Sequence, residues 1–156
     1  MELISKKGYE KLCEEYNSMD QKITDTQRKM GKSAKRDNDL RENPEFMELR
    51  VKAMYTLPAE KEKLYKRMHD CIIIEECEFF KLFDGSKVIP GSKVVCDIDG
   101  ETETLTILGD NESDLDNGII SAATAMAKAL IDKHINETID FNGMKIIIKS
   151  IERIKI

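Results

Sequence analysis

Asn38-Asp39-Leu40-Arg41-Glu42-Asn43-Pro44 separates two long stretches of helical pattern, and it decides the fold of the first half of the chain. Upstream, from Ser5 to about Asp37, there is no Pro. Apolar residues recur there at Tyr9, Leu12, Tyr16, Met19, Ile23 and Met30, in steps of 3, 4, 3, 4 and 7. That spacing draws one apolar seam along a single helix face, with Ser5 as a suitable N-cap. Thr26 and Ser33 fall on the same seam toward its far end, where packing is therefore expected to loosen. Downstream, Pro44 suits a first helical position because its missing N–H is not needed there, and Asn43 would cap that helix. The second helix is expected from Pro44 to about Ile74, with Phe46, Leu49, Ala53, Leu57, Leu64, Met68 and Cys71 on its seam. Two such helices joined by a short connection pack antiparallel as a hairpin. Pro58 removes one backbone hydrogen bond inside the second helix, at about 3 kcal/mol, so a kink or local break is expected there.

Beyond Glu75 the texture changes to short β-rich runs: Phe79 to Phe83, Lys93 to Ile98, Thr102 to Leu108, Glu137 to Phe141 and Met144 to Ile154. Asp84-Gly85, Asp99-Gly100 and Asn142-Gly143 are turn dipeptides, and the latter two lie between alternating strands as hairpin signals. One helix, Ala122 to Lys133 with Ser121 as cap, interrupts the strands. The fold class is therefore α+β. An antiparallel helical coiled-coil hairpin over residues 1–76 precedes a small antiparallel-sheet domain with one short helix over residues 77–156.

Composition fits that division. Charged residues make up 35% of the 156 and aromatics 6%, with no Trp, which is lean for one compact globule. The net charge of −5 gives no general nucleic-acid footprint, so any RNA contact must be local. Cys13, Cys71, Cys77 and Cys96 lack metal or redox spacing and read as reduced thiols of a cytoplasmic protein. The apolar runs fall far short of the roughly 20 residues of a membrane span, so no membrane partner is expected. His69 and His134 have no partners at metal-ligand or triad spacing.

The charge pattern around the break is local and sharp. Arg28, Lys29, Lys32, Lys35 and Arg36 form a basic stretch with no acidic residue among them, and Asp37, Asp39, Glu42, Glu45 and Glu48 then reverse the sign. Asp39 and Glu42, three residues apart, can face one side of a turn and share a divalent cation through oxygen ligands. Two carboxylates alone hold Mg2+ weakly, so such an ion would complete its shell with water and with oxygens of a partner or substrate. Acidic residues at a helix start and basic residues at a helix end also suit the helix macrodipole. Spacing therefore leaves a purely structural account of these charges open.

The run Asn38 to Phe46 closely resembles the G-D-L-x-E-N-x-E-Y tip signature of the GreA-type transcript cleavage factors, a bacterial transcription elongation factor family. The resemblance extends through Ser5-Lys6-Lys7-Gly8-Tyr9-Glu10-Lys11-Leu12, Ile107-Leu108-Gly109-Asp110 and Ile120-Ser121, in the family's order and length. It implies a hairpin that enters the secondary channel of bacterial RNA polymerase and an FKBP-like second domain that docks at the channel rim. Asp39 and Glu42 match the acidic pair that helps the polymerase hold a Mg2+ and a water for cleavage of backtracked RNA; the isolated protein would bind no metal tightly. Arg28, Lys29, Lys32, Lys35, Arg36 and Arg50 resemble the basic patch facing the nascent RNA 3′ segment. Asp110, Asp114 and Ser121 are the expected polymerase-docking positions, in a loop that otherwise reads as a solvated acidic turn. The chain would then be an accessory factor, not itself an enzyme, acting as a monomer.

Some positions depart from the family pattern. Asn38 replaces the tip Gly, tolerably if a left-handed conformation is needed. Pro44 replaces a small helix former, and Ala125 and Asp132 stand where Pro and Gly are usual. A regulator that occupies the channel without promoting cleavage is the alternative reading, against which the intact Asp-x-x-Glu pair argues. A prolyl isomerase would need an aromatic pocket, for which the second half supplies only Phe79, Phe80, Phe83 and Phe141.

Overall fold

A computed structural model describes residues 2–155. Along the chain come strand β1 (Glu2–Ile4), helix α1 (Lys6–Arg36), helix α2 (Pro44–Val51), a π-helical turn (Lys52–Thr56) and helix α3 (Leu57–Asp70). Strand β2 (Cys71–Ile73), a 3-10 turn (Ile74–Glu76) and helix α4 (Glu78–Lys81) follow. The remainder is β3 (Ser92–Ile98), β4 (Glu101–Leu108), a 3-10 turn (Leu115–Asn117), β5 (Ile119–Ser121), α5 (Ala125–Leu130), β6 (Thr138–Phe141) and β7 (Met144–Arg153). The chain divides into two compact units, residues 10–69 and residues 1–9 with 70–156. This division falls at 69/70, where a boundary at 76/77 was expected, and it places the first nine residues with the β-rich part.

Residues 10–69 form the expected helical hairpin. Leu12, Met19, Thr26 and Ser33 are buried at a strict seven-residue interval along α1, flanked by half-buried Tyr16, Ile23 and Met30. On the returning arm Ala53, Leu57 and Leu64 are buried and Phe46, Leu49 and Met68 half-buried. The pairing is antiparallel: Tyr16 meets Tyr65 at 6.1 Å between ring centroids, and Asp20, one turn on, meets Lys61, four residues back, at 2.6 Å. The expected loosening at the far end does not occur. Thr26 is 8% exposed and its hydroxyl donates to the Lys22 carbonyl at 2.8 Å, while Ser33 is 1% exposed and bonded across the hairpin. Pro58 does not break the returning arm, which passes through a π turn just before it. Leu57 N–H bonds back to the Lys52 carbonyl, a wider turn that makes room for the Pro ring.

The second unit is built on a five-stranded sheet of order β5-β4-β3-β7-β6. Asp99-Gly100 (φ 52° and 93°) and Asn142-Gly143 (φ 52° and 82°) are the two-residue turns expected from their sequences, closing β3-β4 and β6-β7. The sheet is mixed, correcting the antiparallel expectation, because β5 runs parallel to β4 with Ile107 beside Ile120. Val94, Cys96, Ile107, Leu130, Ile146 and Ile148 are fully buried in its core. Phe79–Phe83, expected as a strand, falls in and after α4, whose Phe80 packs with Ile74 and Ile89 in a smaller cluster. Helix α5 is shorter than expected and is capped by Thr124, not by Ser121: Thr124 Oγ1 accepts from Ala127 N–H at 3.2 Å. Asp132 beyond it takes φ 66°, supplying the left-handed residue that a Gly would otherwise provide. A separate two-stranded pair joins β1 and β2 in parallel, Glu2 opposite Cys71 and Ile4 opposite Ile73. Among the described residues no helix is long and apolar enough to cross a membrane.

Candidate functional site

Asp37 to Asn43 join the two arms of the hairpin in a turn stitched by side chains. Asp37 Oδ1 accepts from Asp39 N–H at 3.1 Å, Asp39 Oδ1 accepts from Arg41 N–H at 3.1 Å, and Glu42 N–H donates to the Asp39 carbonyl at 3.2 Å. Asp39 and Glu42 therefore stand at the two ends of one hydrogen-bonded turn, both exposed. Among the described residues neither Oδ2 of Asp39 nor either carboxylate oxygen of Glu42 has a hydrogen-bond partner, which leaves them available to an outside ligand. Asn38 keeps a negative φ, so the turn needs no left-handed residue where the family signature has Gly.

Beneath this turn lies a polar network that sequence pattern does not reveal. Asn43 is 6% exposed; its Oδ1 accepts from Phe46 N–H at 3.0 Å, the expected cap, and its Nδ2 donates to the Ser33 carbonyl at 3.2 Å and to Ser33 Oγ at 3.1 Å. Ser33 has one hydroxyl proton. Glu45 Oε2 at 3.0 Å, being ionised, is a better acceptor for it than Asn43 Oδ1 at 3.3 Å. Arg36 Nη2 adds a 2.6 Å ion pair to the same Glu45 oxygen. The Ser33 hydroxyl first, and the Arg36 guanidinium after it, hold the Glu45 carboxyl below its ordinary value. Ser33 reads in sequence as a weak seam residue, and the only sequence signal of its role is Asn43 at the helix start.

The basic residues differ in their surroundings. Arg36 is tied to Glu45, and Arg28 pairs with Asp25 at 3.3 Å. Lys29, Lys32 and Lys35 are exposed and have no ion-pair partner among the described residues. At about 100° per residue, Arg28, Lys32 and Lys35 fall within about 60° of one another, on the side of α1 opposite the buried Thr26 and Ser33. Arg50 belongs elsewhere: with Leu40, Arg41, Phe46 and Met47 it lines a shallow depression of about 610 Å3 beside the tip.

In the other unit, the expected docking residues have uneven exposure. Ser121 is buried, its hydroxyl donating to the Asp110 carbonyl at 2.8 Å and accepting from Ala123 N–H at 3.1 Å, so it holds the loop from within. Asp110 Oδ2 accepts from Leu3 N–H at 3.2 Å, tying the loop to β1. Asp114 is exposed, and Asn117 Nδ2 donates to its Oδ2 at 2.7 Å. Glu112, which sequence alone does not distinguish, accepts from Ser5 N–H at 2.7 Å, Ser5 Oγ–H at 2.5 Å and Gly109 N–H at 2.9 Å, holding the start of α1. Gly109 is required there, since a Cβ would collide with the Leu3 carbonyl.

Among the described residues, no three His, Cys, Asp or Glu side chains are placed to hold a metal ion together. The donor set at the tip, three unpartnered carboxylate oxygens on two exposed residues, fits an ion shared with a partner that brings further ligands.

The family model described as "Transcription elongation factor, GreA/GreB, C-term" matches residues 84–154. The chain is 30% identical over 138 residues to the transcription elongation factor GreA of Thermodesulfovibrio yellowstonii, covering 87% of this chain and 84% of that one. It is 32% identical over 112 residues to GreA of Sinorhizobium medicae, covering 70% and 68%, and 29% identical over 150 residues to GreA of Nautilia profundicola, covering 93% and 90%. The crystal structure of GreA factor homolog 1 (Gfh1) of Thermus thermophilus superimposes with a TM-score of 0.40 at 18% identity, covering 96% of this chain and 97% of that one. The chain belongs to the GreA/GreB family of transcription elongation factors.

Proposed function

We propose that this protein binds RNA polymerase, places its hairpin tip in the secondary channel and stimulates cleavage of backtracked nascent RNA. The observation that carries this reading is the exposed Asp39–Glu42 turn, in which Asp39 Oδ2 and both Glu42 carboxylate oxygens have no partner among the described residues. Asp39 and Glu42 would hold a Mg2+ jointly with the polymerase, which would supply charge neutralisation at the scissile phosphate and activation of a water. The chain's own contribution is to present Asp39 Oδ2 and the Glu42 carboxylate from the two ends of one hydrogen-bonded turn. Lys29, Lys32 and Lys35 add affinity for RNA phosphates without sequence preference. The β unit docks through the exposed side of its Asp110 to Asn117 loop, in which Asp114 and Asp116 are the accessible acidic residues.

The test is transcript cleavage in purified, backtracked elongation complexes with Mg2+, comparing the intact protein with an Asp39→Ala, Glu42→Ala double variant. Stimulation by the intact protein and its loss in the variant, with polymerase binding retained, is the expected result. Slowed elongation without cleavage by the intact protein would replace this reading with that of a channel-occupying inhibitor.

A further inference from the structure

The tip turn leaves α1 after Arg36 and enters α2 at Asn43, and a polar network spans that gap: buried Ser33 and exposed Arg36 on the departing arm, buried Asn43 and exposed Glu45 on the returning one. We propose that these four residues form a polar lock that positions Asp39 and Glu42, setting the rate of transcript cleavage and not the affinity for polymerase. The proposal rests on the functional reading just given.

Three observations carry it. First, Ser33 and Asn43 occupy places where the rest of the seam is mostly apolar, at 1% and 6% exposure. An apolar pair would join the arms but let them slide and turn against one another. Hydrogen bonds are directional and fix register, the role for which buried polar residues in coiled coils are best known. Second, Asn43 is held at both side-chain polar atoms: Oδ1 by Phe46 N–H, and Nδ2 by the Ser33 carbonyl and hydroxyl. From Asn43 the constraint passes through the adjacent Glu42 to the Asp39 carbonyl, then through Asp39 Oδ1 to Arg41 and through Asp39 N–H to Asp37. The tip therefore inherits its geometry from the lock. Third, Glu45 lies only three residues beyond Glu42 and could compete with the pair for a cation. Ser33 and Arg36 occupy its Oε2, which withholds that oxygen from a cation at the pair.

The lock also explains why its members differ from plain structural residues. Asn43→Ser retains a good N-cap, because Ser and Asn cap equally well, yet it cannot donate to both Ser33 atoms. A purely structural Asn43 would tolerate that change; a positioning Asn43 would not. Ser33→Ala removes the hydroxyl from the other side without touching the cap.

Two readouts test the lock in the full-length protein. In isolation, backbone amide relaxation of residues 37–42 reports fast motion at the tip. With backtracked complexes and Mg2+, the cleavage rate at saturating factor is separated from the factor concentration that gives half that rate. Asn43→Ser and Ser33→Ala should keep their helical circular dichroism, loosen the tip amides and lower the saturating rate by about ten- to a hundredfold, as small misplacements of reacting groups do. The half-saturating concentration should stay within about twofold. An unchanged saturating rate, a loss confined to the half-saturating concentration, or tip amides as rigid as in the unaltered protein would each overturn the proposal. If the unaltered protein stimulates no cleavage, the functional reading fails instead, and the lock then stands or falls on the tip amides alone.

Discussion

Thr26 and Ser33 occupy the same buried row of α1, yet removing their hydroxyls is expected to have unequal consequences. Thr26 Oγ1 donates only to the Lys22 carbonyl, four residues back in its own helix, so it supports no contact with the other arm. Such back-bonds weaken a helix slightly. Thr26→Val loses about 1 kcal/mol of hydrogen bonding and regains about 0.8 kcal/mol through a newly buried methyl group, leaving stability within about 0.5 kcal/mol of the original. Ser33→Ala leaves a buried Asn43 N–H without its acceptor, a cost of about 1–3 kcal/mol, against which Ala returns about 0.5 kcal/mol of helix propensity. The net loss should be about 0.5–2.5 kcal/mol. Urea unfolding followed by far-ultraviolet circular dichroism, in which the helical hairpin dominates the signal, measures both variants on one scale. Equal losses, or a silent Ser33→Ala, would refute the distinction between a self-satisfied hydroxyl and a bridging one.

Other outcomes are equally open to measurement. The depressed carboxyl of Glu45 contributes stability that is fully present above its ordinary value of 4.5 and lost as the pH falls through its lower folded value. A carboxyl NMR titration should show that midpoint moving up toward 4.5 in Ser33→Ala; an unmoved midpoint would mean the hydroxyl is not its main stabiliser. Replacing Lys29, Lys32 and Lys35 by Gln should flatten the salt dependence of binding to RNA-containing complexes by about 0.7 for each RNA phosphate no longer neutralised, and an unchanged slope would remove these lysines from RNA binding. Gly91→Ala places a Cβ 2.7 Å from Ile74 Cγ2 at φ +86° and should cost about 2 kcal/mol or more, visible as a lowered melting temperature. Burial pushes the Cys96 thiol up to about 11, so Cys96 should resist alkylation at neutral pH until denaturant is added; rapid labelling of the folded protein would contradict its burial.

Much of the architecture is legible in the sequence where a local physical rule applies. The hairpin follows from Leu12, Met19, Leu57 and Leu64 at helical spacing, and the β turns follow from Asp99-Gly100 and Asn142-Gly143, whose residues accept positive φ. The misreadings arise where satisfaction is not local. Thr26 and Ser33 look weak because pattern weighs apolarity, whereas their hydroxyls find internal partners and can be buried. Strands β1, β2 and β5 are three residues each and pair in parallel, with no turn signal to announce them. Phe79 and Phe80 suggest a strand by composition, but the single helical turn of α4 buries Phe80 and leaves Phe79 exposed. At the tip, Asp39 and Glu42 are visible from sequence and charge. Ser33 becomes visible only once Asn43 is placed beside it.

The pairing of β1 with β2 bears on the order in which the molecule assembles. Residues 10–69 are an excursion from the β unit: the chain enters that unit at Glu2–Ile4, leaves it, and returns at Cys71–Ile73 alongside its own beginning. During synthesis β1 emerges first, but its neighbours arrive only after residue 71, and the Asp110 and Glu112 carboxylates that bond Leu3 and Ser5 arrive later still. The hairpin, closed by contacts near in sequence at its tip, can form while residues 2–5 still wait, since local closure is fast and distant closure slow. Residues 2–5, made before the hairpin, are thus secured after it, and deleting them should disturb the completion of the β unit while sparing the helical arms.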